Sequence, residues 1–342
     1  MLNPQLDRRG ELIHLLSTEG LPRRHAERLL ETAAAADEPS WPAAGYGPLP
    51  PVFLRLPDTR RATRAAYWRA AEQLLLPVTA LDPAEPLAEA VAGLPPGILV
   101  LGHPASGAAV WAATHWAATH ARGGGAAAGG PFGNSLFDGG FDHAAAPGLR
   151  VLNAGDGVHA DPLAALALLR AILRAKPDLT RLVVTLVGDV RHSGLARSLI
   201  HALTTLGVPE LRVAAPPALL PEGLPQLGVF PFSALDEGLR DADVIILLPL
   251  SAEAVAAGRL PSPRDYAAGY RLSPRALALA RPDALLLSAA GLQAGIEAEA
   301  TFDAALARAG HERDALEHGL RLAALRLLAD SLGRALAPGS RA

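Results

Sequence analysis

Three polar, glycine-containing loops hold most of the side chains that could move a proton or bind an anion. His103-Pro-Ala-Ser-Gly107, Asn153 to Asp161 and Gly188 to Gly194 each follow a short apolar run. They offer the imidazoles of His103 and His159, the carboxylate of Asp189 and the guanidinium of Arg191. A histidine in a tight turn serves either as an acid–base group or as a hydrogen-bonding loop residue, so the sequence assigns His103 no role. A fourth polar stretch, Asp58-Thr-Arg-Arg61, opens a helical segment. Asp58 there is expected to cap the helix and pair with Arg61.

Several chemistries are excluded or disfavoured. The chain has no cysteine, which removes disulfides, thiolate catalysis and thiolate metal sites. Its eleven histidines are scattered, with no ligand spacing. His115 and His120 lie five residues apart, a poor match to one helical face, so no metal and no cofactor is expected. A net charge of −3 gives no basic footprint for nucleic acid or anionic lipid. Asp7, Arg8, Arg9 and Glu11 interrupt the first sixteen residues, unlike a signal peptide, and no apolar run is long enough to span a bilayer. A cytoplasmic protein is expected. Lys176 is the single lysine.

The 342 residues, half of them apolar, are enough for two cores. A helix is expected over 22–36, then strand 52–56 and helix 63–76. Strand 98–101 and helix 108–120 form a second such unit. A Gly/Ala-rich insertion, 122–147, embeds Phe132, Phe137 and Phe141 and reads as a mobile surface loop. Strand 150–152, helix 162–175, strand 182–187 and helix 195–206 follow, then strands 211–214, 244–248 and 284–287. Short apolar strands alternating with helices predict an α/β chain with two doubly wound parallel sheets. A last helix over 312–336 places Leu316, Leu320, Ala323, Ala324 and Leu327 near one face.

Six segments, in order and spacing, together resemble the aspartate carbamoyltransferases of the aspartate/ornithine carbamoyltransferase superfamily. They are His14-Leu-Leu-Ser17, Phe53 to Arg60, His103-Pro-Ala-Ser-Gly-Ala-Ala109, Val151-Leu-Asn-Ala-Gly-Asp-Gly157, Val187-Gly-Asp-Val-Arg-His-Ser193 and Ala242-Asp-Val244. The resemblance implies a carbamoyl-phosphate-type domain over 1–160, containing the insertion, and an aspartate-type domain over 161–305. A C-terminal helical segment, 306–342, would return to the first domain. It also implies a catalytic-type trimer with sites shared between subunits.

Carried over position by position, the resemblance points to a degenerate site. The family holds phosphate with a Ser-Thr-Arg-Thr run at a helix N-terminus; the matching run is Asp58-Thr59-Arg60-Arg61. Thr59, Arg60 and Arg61 are then vestigial phosphate binders, and Asp58 sets a carboxylate against the phosphate. Gly102 stands where the family has an arginine, although His103 follows as in the family. The family's His-Pro-Thr-Gln becomes Asp161-Pro162-Leu163-Ala164. Its substrate-carboxylate arginine falls at Gly194, and its Arg-x-Gln pair at Pro249-Leu250-Ser251. Its His-Pro loop reads Ser288-Ala289-Ala290-Gly291. The neighbour-subunit loop matches Thr79 to Pro86, which holds no basic residue, and Lys176 in the other domain does not replace it. His159 is expected to be a plain surface histidine, although it and His103 could line a cleft.

Preserved scaffold with lost cations leads to one expectation: a catalytically inactive aspartate carbamoyltransferase-like subunit, structural or regulatory, possessing no catalytic residues. It would form a homotrimer, or a mixed assembly with an active carbamoyltransferase or dihydroorotase in pyrimidine biosynthesis. The alternative is an active carboxyl- or carbamoyltransferase that recruits Arg60, Arg61, His103, His159 and Arg191 in a remodelled cleft. A third reading is a metabolite sensor with the glycine-rich loop as its lid.

Overall fold

In the computed structural model the described residues are 3–38, 41, 49–121 and 148–336. The glycine-rich insertion, and with it the expected mobile loop and lid, lies outside them. In chain order the elements begin with α1 (Arg23–Ala35), β1 (Val52–Arg55), α2 (Arg61–Gln73), β2 (Val78–Ala80), α3 (Leu87–Ala92), β3 (Gly97–His103), α4 (Ala108–Ala121) and β4 (Leu149–Asp156). They continue as α5 (Pro162–Ala175), β5 (Val183–Val187), α6 (Gly194–Leu206), β6 (Glu210–Ala214), β7 (Val229–Phe232), α7 (Leu235–Leu239) and β8 (Val244–Leu247). After these come α8 (Ala252–Ala256), α9 (Pro263–Tyr270), α10 (Pro274–Leu277), β9 (Leu285–Ser288) and α11 (Asp303–Leu336).

The chain divides into two compact units. Unit 1 comprises 1–16, 35–156 and 321–342; unit 2 comprises 17–34 and 157–320. The split falls within α11, so its C-terminal half belongs to the first unit.

Unit 1 is built on an all-parallel sheet in the order β2-β1-β3-β4. β3 and β4 are buried along nearly their whole length, as an apolar run covered on both faces requires. Phe53, Leu99, Leu101 and Val151 pack with Ala109, Ala112 and Trp116 of α4. A Cβ at Gly97 would come within 2.7 Å of both the Phe53 ring and the Pro51 carbonyl, so only glycine lets β1 and β3 close at that point.

Unit 2 holds a second parallel sheet, β7-β6-β5-β8-β9. Its central strands β5 and β8 are buried, and Val187, Ile245 and Leu247 contribute to a core with Leu239 and Leu272. Strand order runs outward through β6 on one side of β5 and through β8 on the other. The C-terminal ends of β5 and β8 therefore flank the point where the winding reverses, the usual ligand position in open α/β sheets.

Three sequence expectations shift. β2 and β7 were not anticipated, being short edge strands that leave part of their length exposed. α11 starts at Asp303, nine residues before the expected Glu312. Leu328, rather than Leu327, is the residue buried with Leu316, Leu320, Ala323 and Ala324. No helix among the described residues is long and apolar enough to cross a membrane.

Candidate functional site

In unit 1 the polar stretches gather at the C-terminal ends of β1, β3 and β4. After β1 the chain makes a 3-10 turn over Asp58–Arg60 with Pro57 at its N-cap. Asp58 is thus already inside the turn, and its exposed carboxylate makes no capping bond. It pairs with Arg64 at 3.4 Å. The expected Asp58 cap and Asp58–Arg61 pair are corrected, because Pro57 occupies the cap position and Arg64 reaches back to the turn.

Thr59 and Arg61 are exposed. Arg60 instead turns toward β4, where its Nη1 donates to the Ala154 carbonyl across 2.6 Å. Gly102 lies within β3, and a Cβ there would meet only the Leu56 side chain and Pro57 ring, at 3.4 Å or more. His103 ends β3, and its Nδ1 accepts the Ala105 N–H at 3.0 Å. Burial, and then the nearby Arg55, lowers the His103 pKa, which favours the neutral ring that can accept this bond. Of the two roles open to His103, the geometry displays the hydrogen-bonding one.

Asp156 is fully buried at the end of β4. It accepts from the Asn153 side-chain amide at 2.9 Å and from the Ala109 N–H at 3.4 Å, in the first turn of α4. Arg55 anchors the loop after β2: its Nη2 donates to the Pro83 and Glu85 carbonyls at 3.1 and 2.6 Å.

In unit 2 the positions that the resemblance singled out take scaffold roles. Asp161 is the N-cap of α5, its carboxylate accepting the Ala164 N–H, with Pro162 at the first helical position. Gly194 opens α6 against the loop that precedes α5. A Cβ there would lie 3.0 Å from the Ala160 nitrogen and 3.3 Å from the Gly157 carbonyl. Ser288 ends β9, and its carbonyl accepts from Arg313 Nη1 at 3.0 Å. Lys176 closes α5 and donates to Asp283 at 2.7 Å. His159 is half-buried, within electrostatic reach of His201.

A further polar cluster stands at the ends of β5 and β8. Asp189, whose side chain has no exposure, accepts the His192 backbone N–H at 3.1 Å and sits 3.0 Å from His192 Nδ1 with both oxygens. The Ser251 hydroxyl also donates to Asp189 while accepting the Ala254 N–H at 3.0 Å, so it caps α8. Nearby, buried Glu297 accepts the Leu250 and Gln293 N–H groups at 2.8 and 2.7 Å. Burial raises its pKa even though those bonds oppose the shift. Tyr266 is buried, and its hydroxyl has no hydrogen-bond partner among the described residues.

Sequence reasoning singled out Asp189, Arg191 and Ser251 but missed His192, Tyr266 and Glu297 as site residues. The three-residue spacing of Asp189 and His192 was the available signal; nothing in the sequence ties Tyr266 or Glu297 to them. No group of three or more His, Asp or Glu side chains among the described residues could hold a metal ion.

No protein-family model matches the sequence. Solved structures do match the fold. Aspartate transcarbamoylase from Trypanosoma cruzi, in complex with N-(phosphonacetyl)-L-aspartic acid, superposes with a TM-score of 0.67 at 19% identity. That match covers 91% of this chain and 95% of that one. The catalytic subunit of M. jannaschii aspartate transcarbamoylase gives 0.67 at 20% identity, covering 94% and 99%. Ornithine carbamoyltransferase from Thermus thermophilus gives 0.66 at 18%, covering 96% and 100%. The fold is that of the aspartate and ornithine carbamoyltransferases.

Proposed function

We propose that the chain uses this fold without transferring the carbamoyl group of carbamoyl phosphate, and serves as a structural or regulatory subunit. One observation supports this most directly: Arg60, the guanidinium retained in the phosphate-binding run, is bonded to the Ala154 carbonyl. Asp58 stands two residues before it on the same turn. A carboxylate in contact with a phosphate oxygen is repelled by roughly 4 kcal/mol per charge pair at an effective dielectric of about 20.

Carbamoyl transfer needs donors in place for a dianionic phosphate and for charge growing on a carbonyl oxygen, and losing one such donor typically slows a reaction about 100-fold or more. Here Gly102, Asp161, Ala164, Gly194, Pro249 and Ser288 provide no cationic side chain at the matching positions. Thr59, Arg60 and Arg61 are read as remnants of the phosphate site. Unit 1 is read as the carbamoyl-phosphate-type domain and unit 2 as the aspartate-type domain. A trimer, alone or mixed with an active carbamoyltransferase or dihydroorotase, in the cytoplasm, belongs to the same reading.

Purified protein supplied with carbamoyl phosphate and either L-aspartate or L-ornithine is expected to form no carbamoyl product above the uncatalysed rate. Turnover with either acceptor would overturn the reading in favour of a divergent transferase. Mass measurement of the intact complex from native extract tests the assembly, and a homogeneous monomer would refute it.

A further inference from the structure

Unit 2 contains a proton-transfer pair that the reading above leaves unused. An ionised carboxylate only accepts hydrogen bonds, so the 3.0 Å approach of Asp189 to His192 Nδ1 places the ring proton on Nδ1. In the neutral ring the lone pair then belongs to Nε2. Nε2 makes no hydrogen bond to the described residues, and the His192 side chain keeps 15% of its exposure while Asp189 has none. Asp189 is itself fixed from two further directions, by the Ser251 hydroxyl from the β8 side and by the His192 backbone N–H. A buried carboxylate behind Nδ1, on a ring whose side chain is partly exposed and whose Nε2 has no hydrogen-bond partner among the described residues, is the arrangement that orients an imidazole as a base and stabilises the imidazolium it becomes.

The location adds independent support. The pair stands at the ends of β5 and β8, where the sheet's winding reverses. The hydroxyl of buried Tyr266, without a hydrogen-bond partner among the described residues, reaches the same edge: a Cβ on Gly188 would lie 3.2 Å from it. Burial first, then Glu297 and Asp189, pushes its pKa up, so this hydroxyl remains a hydrogen-bond donor. Arg191, the nearest cation in sequence, has its Nη2 engaged with the Leu220 carbonyl at 2.7 Å. Gly194 and Pro249 offer no charge, which disfavours a dicarboxylate.

We propose that His192, oriented by Asp189, is a general base that takes a proton from the hydroxyl or amino group of a small ligand lacking paired carboxylates. In that step the ligand's O–H or N–H bond breaks and an N–H bond forms at Nε2. The electron pair stays on the ligand heteroatom, and Asp189 offsets the new imidazolium charge. The proposal rests on unit 2 alone and stands or falls independently of the carbamoyl-transfer assay.

The test uses the full chain. In long-range proton–nitrogen NMR spectra above the histidine titration, His192 is expected to be protonated on Nδ1, and protonation on Nε2 would overturn the proposal. Diethyl pyrocarbonate then probes the lone pair: Nε2 attacks a carbonyl carbon, the bond to ethyl carbonate breaks, and that group leaves to give ethanol and carbon dioxide. By peptide mass spectrometry, His192 is expected to react about tenfold faster than the more exposed His120. A rate equal to or below that of His120 would also overturn it. Asp189→Asn, checked for folding by circular dichroism, is expected to remove the advantage, and an unchanged rate counts against the dyad. Should that variant fail to fold, the two wild-type measurements still decide.

Discussion

Arg60 Nη1 donates to the Ala154 carbonyl at 2.6 Å, joining the turn after β1 to the end of β4. A charged donor on a backbone carbonyl contributes about 1.5–3 kcal/mol. Arg60→Ala is therefore expected to lower the urea midpoint of unit 1 by a corresponding amount, and Arg60→Lys by less. A midpoint unchanged by Arg60→Ala would show that the bond does not hold the turn, and would return Arg60 to the pool of free cations.

Asp161 tests whether a position read as catalytic in the resemblance now serves the scaffold. Its carboxylate caps α5, a helix buried along most of its length. Asp161→Ala is expected to cost about 1 kcal/mol, while Asp161→Asn, which keeps an acceptor, costs little. Thermal unfolding of the two variants side by side distinguishes them; equal stability would sink the capping role.

His103 gives a pH dependence whose sign is fixed by geometry. Its folded pKa lies below the ordinary value of 6.5, first through burial and then through Arg55. A depressed pKa means that folding favours the neutral ring. The stabilisation is thus fully present above pH 6.5 and is lost as pH falls through the folded pKa. Protonating Nδ1 also removes the acceptor for the Ala105 N–H. Hydrogen exchange at Ala105 is expected to accelerate on acidification beyond its intrinsic pH dependence, and His103→Asn should flatten the extra response. Protection at Ala105 that stays constant through this range would contradict the assignment.

Much of this architecture is legible in the residues because its strongest local signals agree with the fold. Asp161 and Pro162 mark the start of α5, and the short, β-branched-rich apolar runs at 98–101 and 182–187 fit buried strands. Less legible are elements that the sheet edge dictates. β7 reads Val-Phe-Pro-Phe, and the proline inside the run argues against a strand anywhere but at a sheet edge. The site cluster is harder still. Ser251 and Asp189 are 62 residues apart and meet only because β5 pairs with β8 in register, Val187 beside Leu247. Tyr266 and Glu297 join them from α9 and from the segment after β9, for which no spacing rule exists. The direction of Asp58 was missed for a smaller reason: a 3-10 turn moved the cap back by one residue.

Two glycines at positions where the resemblance expects arginine differ in what they would tolerate. At Gly102 a Cβ meets the Leu56 side chain at ordinary contact distance, so Gly102→Ala is expected to fold with little change. At Gly194 a Cβ would press on backbone, 3.0 Å from the Ala160 nitrogen and 3.2 Å from its carbonyl carbon. Backbone atoms cannot rotate aside as a side chain does. The helical preference of alanine over glycine, about 1 kcal/mol, is thus outweighed by an overpacking cost of about 1–3 kcal/mol. Gly194→Ala is expected to be less stable than wild type, and Gly194→Arg less stable again, with no gain in L-aspartate affinity by calorimetry. A well-folded Gly194→Arg protein that binds L-aspartate would show that the loop from Gly157 to Ala160 yields easily, and that a single substitution separates this chain from a carboxylate-binding site.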